Sequence, residues 1–131
     1  MKTLIVEDDF TSRLLLQEIL KDYGAVHIAA NGGEAVQAVR AALETNQPYS
    51  LICMDIMMPE MDGYQALRAI RGLEEARGIT SSKGVKIFMI TALDGVKDVI
   101  QGFHGLCDAY LFKPVDKAKL LEQLREFVLT G

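Results

Sequence analysis

Five times along this chain a short apolar run gives way to a stretch with apolar residues at helical spacing, and that alternation constrains the fold more than any other feature. The apolar runs fall at residues 4–6, 25–30, 50–54, 85–90 and 109–112. Leu14, Leu15, Leu16, Ile19 and Leu20 predict a helix over 11–21 that Gly24 stops. After the Asn31-Gly32-Gly33 turn, Val36, Val39 and Leu43 mark a second helix over 34–44, closed by Asn46-Gln47-Pro48. Leu67, Ile70 and Leu73 mark a third over 63–75, and Val96, Val99, Ile100 and Phe103 a fourth. The last begins near Asp116, a capping residue, and runs through Leu120, Leu121, Leu124 and Phe127. Residues 75–84 show no period and read as an exposed connection. Parallel neighbours need crossovers, and crossovers cover the sheet, so the expected class is α/β: a doubly wound five-stranded parallel sheet with helices on both faces. Strands that are apolar without polar alternation agree, because such strands are buried on both sides. A length of 131 residues allows one domain, taken as 1–131, and no linker divides it.

Charge and cysteine usage exclude several functions. There are 14 basic and 18 acidic residues and no basic run, so direct nucleic-acid binding is not expected. Cys53 and Cys107 are far apart and outside any metal-ligand pattern, which suits two buried thiols in a reducing compartment. The opening run MKTLIV meets acids too soon for a signal peptide or membrane span, so a cytoplasmic location is expected.

Ligands of open α/β sheets bind beyond the carboxyl ends of the strands, which makes the strand-ending residues the informative ones. Strand one ends in Glu7-Asp8-Asp9, strand three in Asp55, strand four in Thr91 and strand five in Lys113-Pro114. Any one of these alone reads as a solvated loop or a helix cap; their coincidence at four strand ends points elsewhere. Acids gathered at one sheet end repel unless a cation shares the site. Lys113 supplies one positive charge, and an all-oxygen ligand set without His or Cys favours Mg2+ or Mn2+ for the rest. Such a site suits phosphoryl chemistry, with Asp55 attacking phosphorus to give an acyl phosphate and Thr91 hydrogen-bonding a phosphoryl oxygen.

These residues sit in LIVEDD at 4–9, MDIMMPEMDGY at 54–64, MITAL at 89–93 and YLFKP at 110–114. In that order and spacing, and over its whole length, the chain resembles the receiver domain of bacterial two-component response regulators, a chemotaxis-regulator-like domain of flavodoxin-like fold. The resemblance implies strand order 2-1-3-4-5. It implies Asp55 as phosphoacceptor, Glu7 and Asp8 as the acidic pair that binds Mg2+ with Asp55 and the main-chain carbonyl of Met57, and Thr91 and Lys113 as the phosphate-binding hydroxyl and lysine. With Arg13 five residues after Asp8, Asp9 is an extra acid. Tyr110 matches the aromatic switch, and the Lys113-Pro114 bond is expected to be cis. The implied partners are a sensor histidine kinase or a phosphotransfer protein, then an output partner at the face of the fourth helix, fifth strand and fifth helix, or a phosphorylation-dependent homodimer. The domain would assist its own phosphorylation and dephosphorylation without being a turnover enzyme.

The acidic pair is Glu-Asp where Asp-Asp is frequent, and the 74–84 connection is longer than in compact members. Met54, Met57, Met58 and Met61 are soft donors beside hard carboxylates, so packing is their expected role. Met57 and Leu93 flank the route by which water would reach an acyl phosphate, and their apolar side chains are expected to slow hydrolysis. Two rival readings remain. A phosphatase of the haloacid dehalogenase type wants a second Asp where Met57 stands. A phosphorylation-independent protein-binding module predicts a missing acceptor, lysine or acidic pair, and none is missing.

Overall fold

The computed structural model describes residues 1–58, 60–80, 82–92 and 106–129. The fourth helical pattern, Leu93 and Pro59 lie outside the described residues. Five strands, β1 (Lys2–Val6), β2 (Ala25–Ala29), β3 (Leu51–Asp55), β4 (Lys86–Thr91) and β5 (Ala109–Phe112), form one sheet in the order β2-β1-β3-β4-β5. Every neighbouring pair is parallel. Among the described residues the helices are α1 (Phe10–Leu20), α2 (Gly32–Glu44), α3 (Gly63–Glu75) and a C-terminal helix (Lys117–Phe127). A single 3-10 turn (Lys21–Tyr23) follows α1 and carries it to Gly24. No helix among the described residues is long and apolar enough to cross a membrane.

The two-residue period of a strand sorts the apolar runs onto two faces. Leu4 and Val6, Ile52 and Met54, and Ile87 and Met89 pack with Val36 and Val39 of α2 and Leu67 and Ile70 of α3. Ile5, Leu51, Cys53, Phe88 and Ile90 face the other way, onto Leu16, Ile19 and Leu20 of α1 and Leu120 and Leu124 of the C-terminal helix. Each fully buried aliphatic side chain contributes roughly 2 kcal/mol. The apolar runs without polar alternation are thereby explained, except at the two edges of the sheet, where Phe112 is exposed on β5 and Ala25, His27 and Ile28 on β2.

Each α-helix among the described residues starts on a capping side chain. Asp9 accepts from Ser12 N at 2.9 Å, Asn31 from Glu34 N at 2.9 Å, and Asp116 from Ala118 N at 2.9 Å. Asp62 and Gln65 form a reciprocal box, with bonds of 2.9 and 3.0 Å. Gly63 is required where α3 begins, because a Cβ there would stand 2.5 Å from the carbonyl oxygen of Asp55. α3 therefore starts tight against the tip of β3.

At the opposite end of β4 lies a buried polar cluster that periodicity does not announce. Arg71 donates to Glu74 Oε1 (2.7 Å), to the carbonyls of Val85 and Leu106 (2.8 Å each) and to Asp108 Oδ2 (3.2 Å). Glu74 Oε2 accepts from Val85 N at 2.7 Å, and Asp108 Oδ2 from Ile87 N at 2.8 Å. A Cβ on Gly84 would collide with the Glu74 carboxylate, so glycine is needed there as well. The cluster fixes how β4 starts and how the chain enters β5. The 75–84 connection, expected to be merely exposed, is pinned at its base: Ile79 N bonds to Glu74 O, and Gly84 N to Thr80 O, both at 2.9 Å. The expectation of two buried thiols holds for Cys53 alone. Cys107 is half-buried, since it sits at the entry to an edge strand with one side open.

Candidate functional site

Parallel strands deliver their carboxyl ends to one edge of the sheet, and the acids, the threonine and the lysine gather there. Glu7 directly follows β1, its N–H bonded to Ala29 O at 3.1 Å, and its side chain is 1% exposed. Asp55 and Thr91 are the last residues of β3 and β4, the strand ends the sequence suggested, and both are buried. Asp8 is exposed. One carboxylate oxygen from each of Glu7, Asp8 and Asp55 lies within 4.8 Å of the others.

Lys113 reaches into this group from the end of β5, with Nζ 2.8 Å from Glu7 Oε1 and 3.4 Å from Asp55 Oδ2. The second oxygen of Glu7 accepts from Asp9 N at 3.3 Å, and Asp55 Oδ1 accepts from Met57 N at 3.2 Å. The Asp9 carboxylate is engaged elsewhere, on the α1 cap, and the Ser12 N–H bond holds its pKa below the ordinary value. Burial, reinforced by the hydrogen bond to Asp55 and by that group's charge, pushes Glu7 up to about 7 against the pull of Lys113. Burial works to lower the Lys113 pKa, but the Glu7 and Asp55 carboxylates outweigh it and raise the ammonium above its usual value. One lysine does not neutralise two buried carboxylates and an exposed third. The set is oxygen only and converges on one point, so its donor chemistry fits a hard divalent cation such as Mg2+ or Mn2+.

Thr91 is placed by register. Asp55 pairs with Ile90, so Thr91 is the next residue along the adjacent strand. Its hydroxyl donates to Ala92 O at 3.2 Å, and its carbonyl accepts from Lys113 N at 2.7 Å. The Lys113–Pro114 peptide is cis. Tyr110, opposite Met89, is half-buried; burial and the neighbouring Cys107 thiol, to which its hydroxyl hydrogen-bonds, raise its pKa. Of the four methionines between 54 and 61, Met54 and Met58 are buried, Met61 packs on the core, and Met57 is 73% exposed. Around this end of the sheet the structure also exposes Phe10 and Leu14 of α1 and Phe112 of β5. The reading of strand ends passed over these three, although Phe10 directly after Asp8-Asp9 was a signal that an apolar group borders the acids.

The response regulator receiver domain profile matches residues 3–125. Over 129 residues the chain is 37% identical to hybrid signal transduction histidine kinase B of Dictyostelium discoideum, covering 94% of this chain and 6% of that protein. Among solved structures it is similar to the receiver domain of the sensor histidine kinase PA1611 of Pseudomonas aeruginosa, which carries a magnesium ion in its active-site cleft. That match has a TM-score of 0.77 and 31% identity, with 98% of each chain covered. It is also similar to a structure of the Saccharomyces cerevisiae phosphotransfer protein Ypd1 with the receiver domain of Ssk1 (TM-score 0.80, 28% identity, 98% of this chain and 89% of that one). The chain spans 6% of the length of the Dictyostelium discoideum kinase and 55% of the probable transcriptional regulator ycf29 of Porphyra purpurea, to which it is 33% identical over 95% of its own length. With nearly every residue inside the matched profile and the sheet order and strand-tip acids in agreement, the chain belongs to the response regulator receiver domain family.

Proposed function

We propose that this domain is the phosphoacceptor switch of a histidine-to-aspartate relay, with Asp55 as the residue phosphorylated. The observation that carries the reading is the convergence of three carboxylates and one ammonium group at the carboxyl ends of β1, β3 and β5. Glu7, Asp8, Asp55 and the main-chain carbonyl of Met57 would hold a Mg2+ or Mn2+ ion, which supplies positive charge against the phosphoryl oxygens when bound. An Asp55 carboxylate oxygen forms the new P–O bond while the P–N bond of a phosphohistidine breaks. The imidazole leaves with the bonding pair and takes up a proton. Lys113 stabilises charge on the transferring group, and the Thr91 hydroxyl turns from Ala92 O to a phosphoryl oxygen.

The donor is a histidine kinase or a phosphotransfer protein in the cytoplasm, and the exposed Phe10, Leu14 and Met57 offer it an apolar rim around a charged centre. The domain takes part in one transfer and one hydrolysis per cycle and is not a turnover enzyme. Once phosphorylated, it favours the arrangement in which Thr91 and Tyr110 have moved. The shift is read at β5 and the C-terminal helix by an output partner or a second copy of the domain. Of the expected face, the part at residues 96–105 lies outside the described residues.

Intact mass after incubation with acetyl phosphate and Mg2+ tests the reading. One labile phosphoryl group should appear on the wild type and be absent from Asp55→Asn and from samples treated with a chelator. Stable or multiple phosphorylation, or an unaffected Asp55→Asn variant, would overturn it.

A further inference from the structure

At the sheet end opposite the acids, Arg77, Gly78, Ile79, Lys83 and Gly84 border a cleft of about 630 Å³ against the turn before β3 and the end of the C-terminal helix. That volume is in the range that holds small organic ligands, roughly 300–1,000 Å³. Its walls are mainly apolar, from Leu43, Tyr49, Ile79 and Val85. The cleft is built rather than incidental, because the connection is hydrogen-bonded to α3 and to itself through Ile79 N, Lys83 N and Gly84 N.

The charge balance at its mouth is reversed relative to the whole chain, whose formal net charge is -4. Among the described residues the one carboxylate lining the cleft, Glu74, is engaged by Arg71 and Val85 N. Arg77 and Lys83 are exposed at the cleft and form no ion pair among the described residues. Two unspent cations over an apolar hollow match one kind of occupant. We infer that this cleft binds a small amphipathic organic anion, with an apolar body against Tyr49, Ile79 and Val85 and an anionic head on Arg77 and Lys83. The site is separate from the phosphoacceptor end, and both can be filled at once.

The test is an amide chemical-shift titration of the whole chain with 4-phenylbutyrate and with its neutral counterpart 4-phenylbutanol. Saturable shifts at Ile79, Lys83 and Val85 are expected with the acid. Affinity should fall about tenfold or more, equivalent to about 1.4 kcal/mol, with the alcohol and in the Arg77→Glu/Lys83→Glu double variant. Both substituted positions are exposed, and unchanged shift dispersion will report the fold. No saturation, equal affinity for the alcohol, shifts confined to other residues or undiminished binding by the variant would overturn the inference. So would shifts produced only by an acidic peptide such as hexaglutamate, which would make the cleft a protein-docking surface.

Discussion

Glu7 is the residue whose behaviour departs most from its sequence identity. As a buried acid pushed up to about 7, it keeps its proton in the folded state at pH values where the unfolded chain, near 4.5, has lost it. Between those values the native state binds more protons, so its stability is highest below the lower pKa, falls as pH rises and levels off above about 7. Urea denaturation of metal-free protein from pH 5 to pH 8 should show this decline, and Glu7→Gln should flatten it; a wild-type profile that rises over the window would contradict the burial argument. That an acid follows β1 was plain from the letters Glu7-Asp8-Asp9. That Glu7 is buried, Asp8 is exposed and Asp9 is spent on a cap was not, because burial is set by Lys113 and Asp55 arriving from other strands. Met57 lends itself to a second test. Its N–H bonds to Asp55 Oδ1 and its side chain is exposed two residues on, so Met57→Asn, which can orient water toward an acyl phosphate, should speed dephosphorylation several-fold in a decay assay. An unchanged or slower rate counts against a shielding role.

The third helix shows what periodicity reads and what it misses. Its bounds, Gly63–Glu75, were legible from Leu67, Ile70 and Leu73 and from the Asp62-Gly63 start. Arg71 and Glu74 lie four residues beyond Leu67 and Ile70, on the same buried stripe, yet a charged letter there reads as surface. Only the folded chain brings Leu106 O, Val85 O and Asp108 to meet the guanidinium. Truncating Arg71 takes the guanidinium from the buried Glu74 carboxylate and from the half-buried Asp108, leaving them only their main-chain N–H donors and, for Asp108, Lys86 at 3.9 Å. Arg71→Ala should therefore cost about 3–5 kcal/mol in urea unfolding. The cap of the same helix, whose hydrogen bonds are exposed, sets the comparison: Asp62→Ala removes only the cap and should cost about 1 kcal/mol. Similar losses for the two variants would mean that the buried cluster contributes no more than a surface cap.

Across the whole molecule, the alternation of runs foretold a parallel sheet wound on both faces, and the sheet has that form. The strand order came from the resemblance, since alternation alone does not say which strands are neighbours. One consequence belongs to the entire fold. Because the acids are held together only when β1 and β3 are paired, the unfolded chain has no comparable site, and a bound cation stabilises the native state by mass action. At a hundredfold excess over its Kd, Mg2+ should add about 2.7 kcal/mol, a rise in Tm of roughly 10 °C for a domain of this size. The rise must also depend on pH. A proton on Glu7 competes with the cation, so the gain measured at pH 8 should exceed that at pH 5, and below about 7 binding should release a proton that calorimetry in buffers of different ionisation enthalpy can count. Asp55→Asn should shrink the rise at both pH values. If the wild type and the variant gain equally, the cation is binding elsewhere on an acidic surface and not at the strand tips.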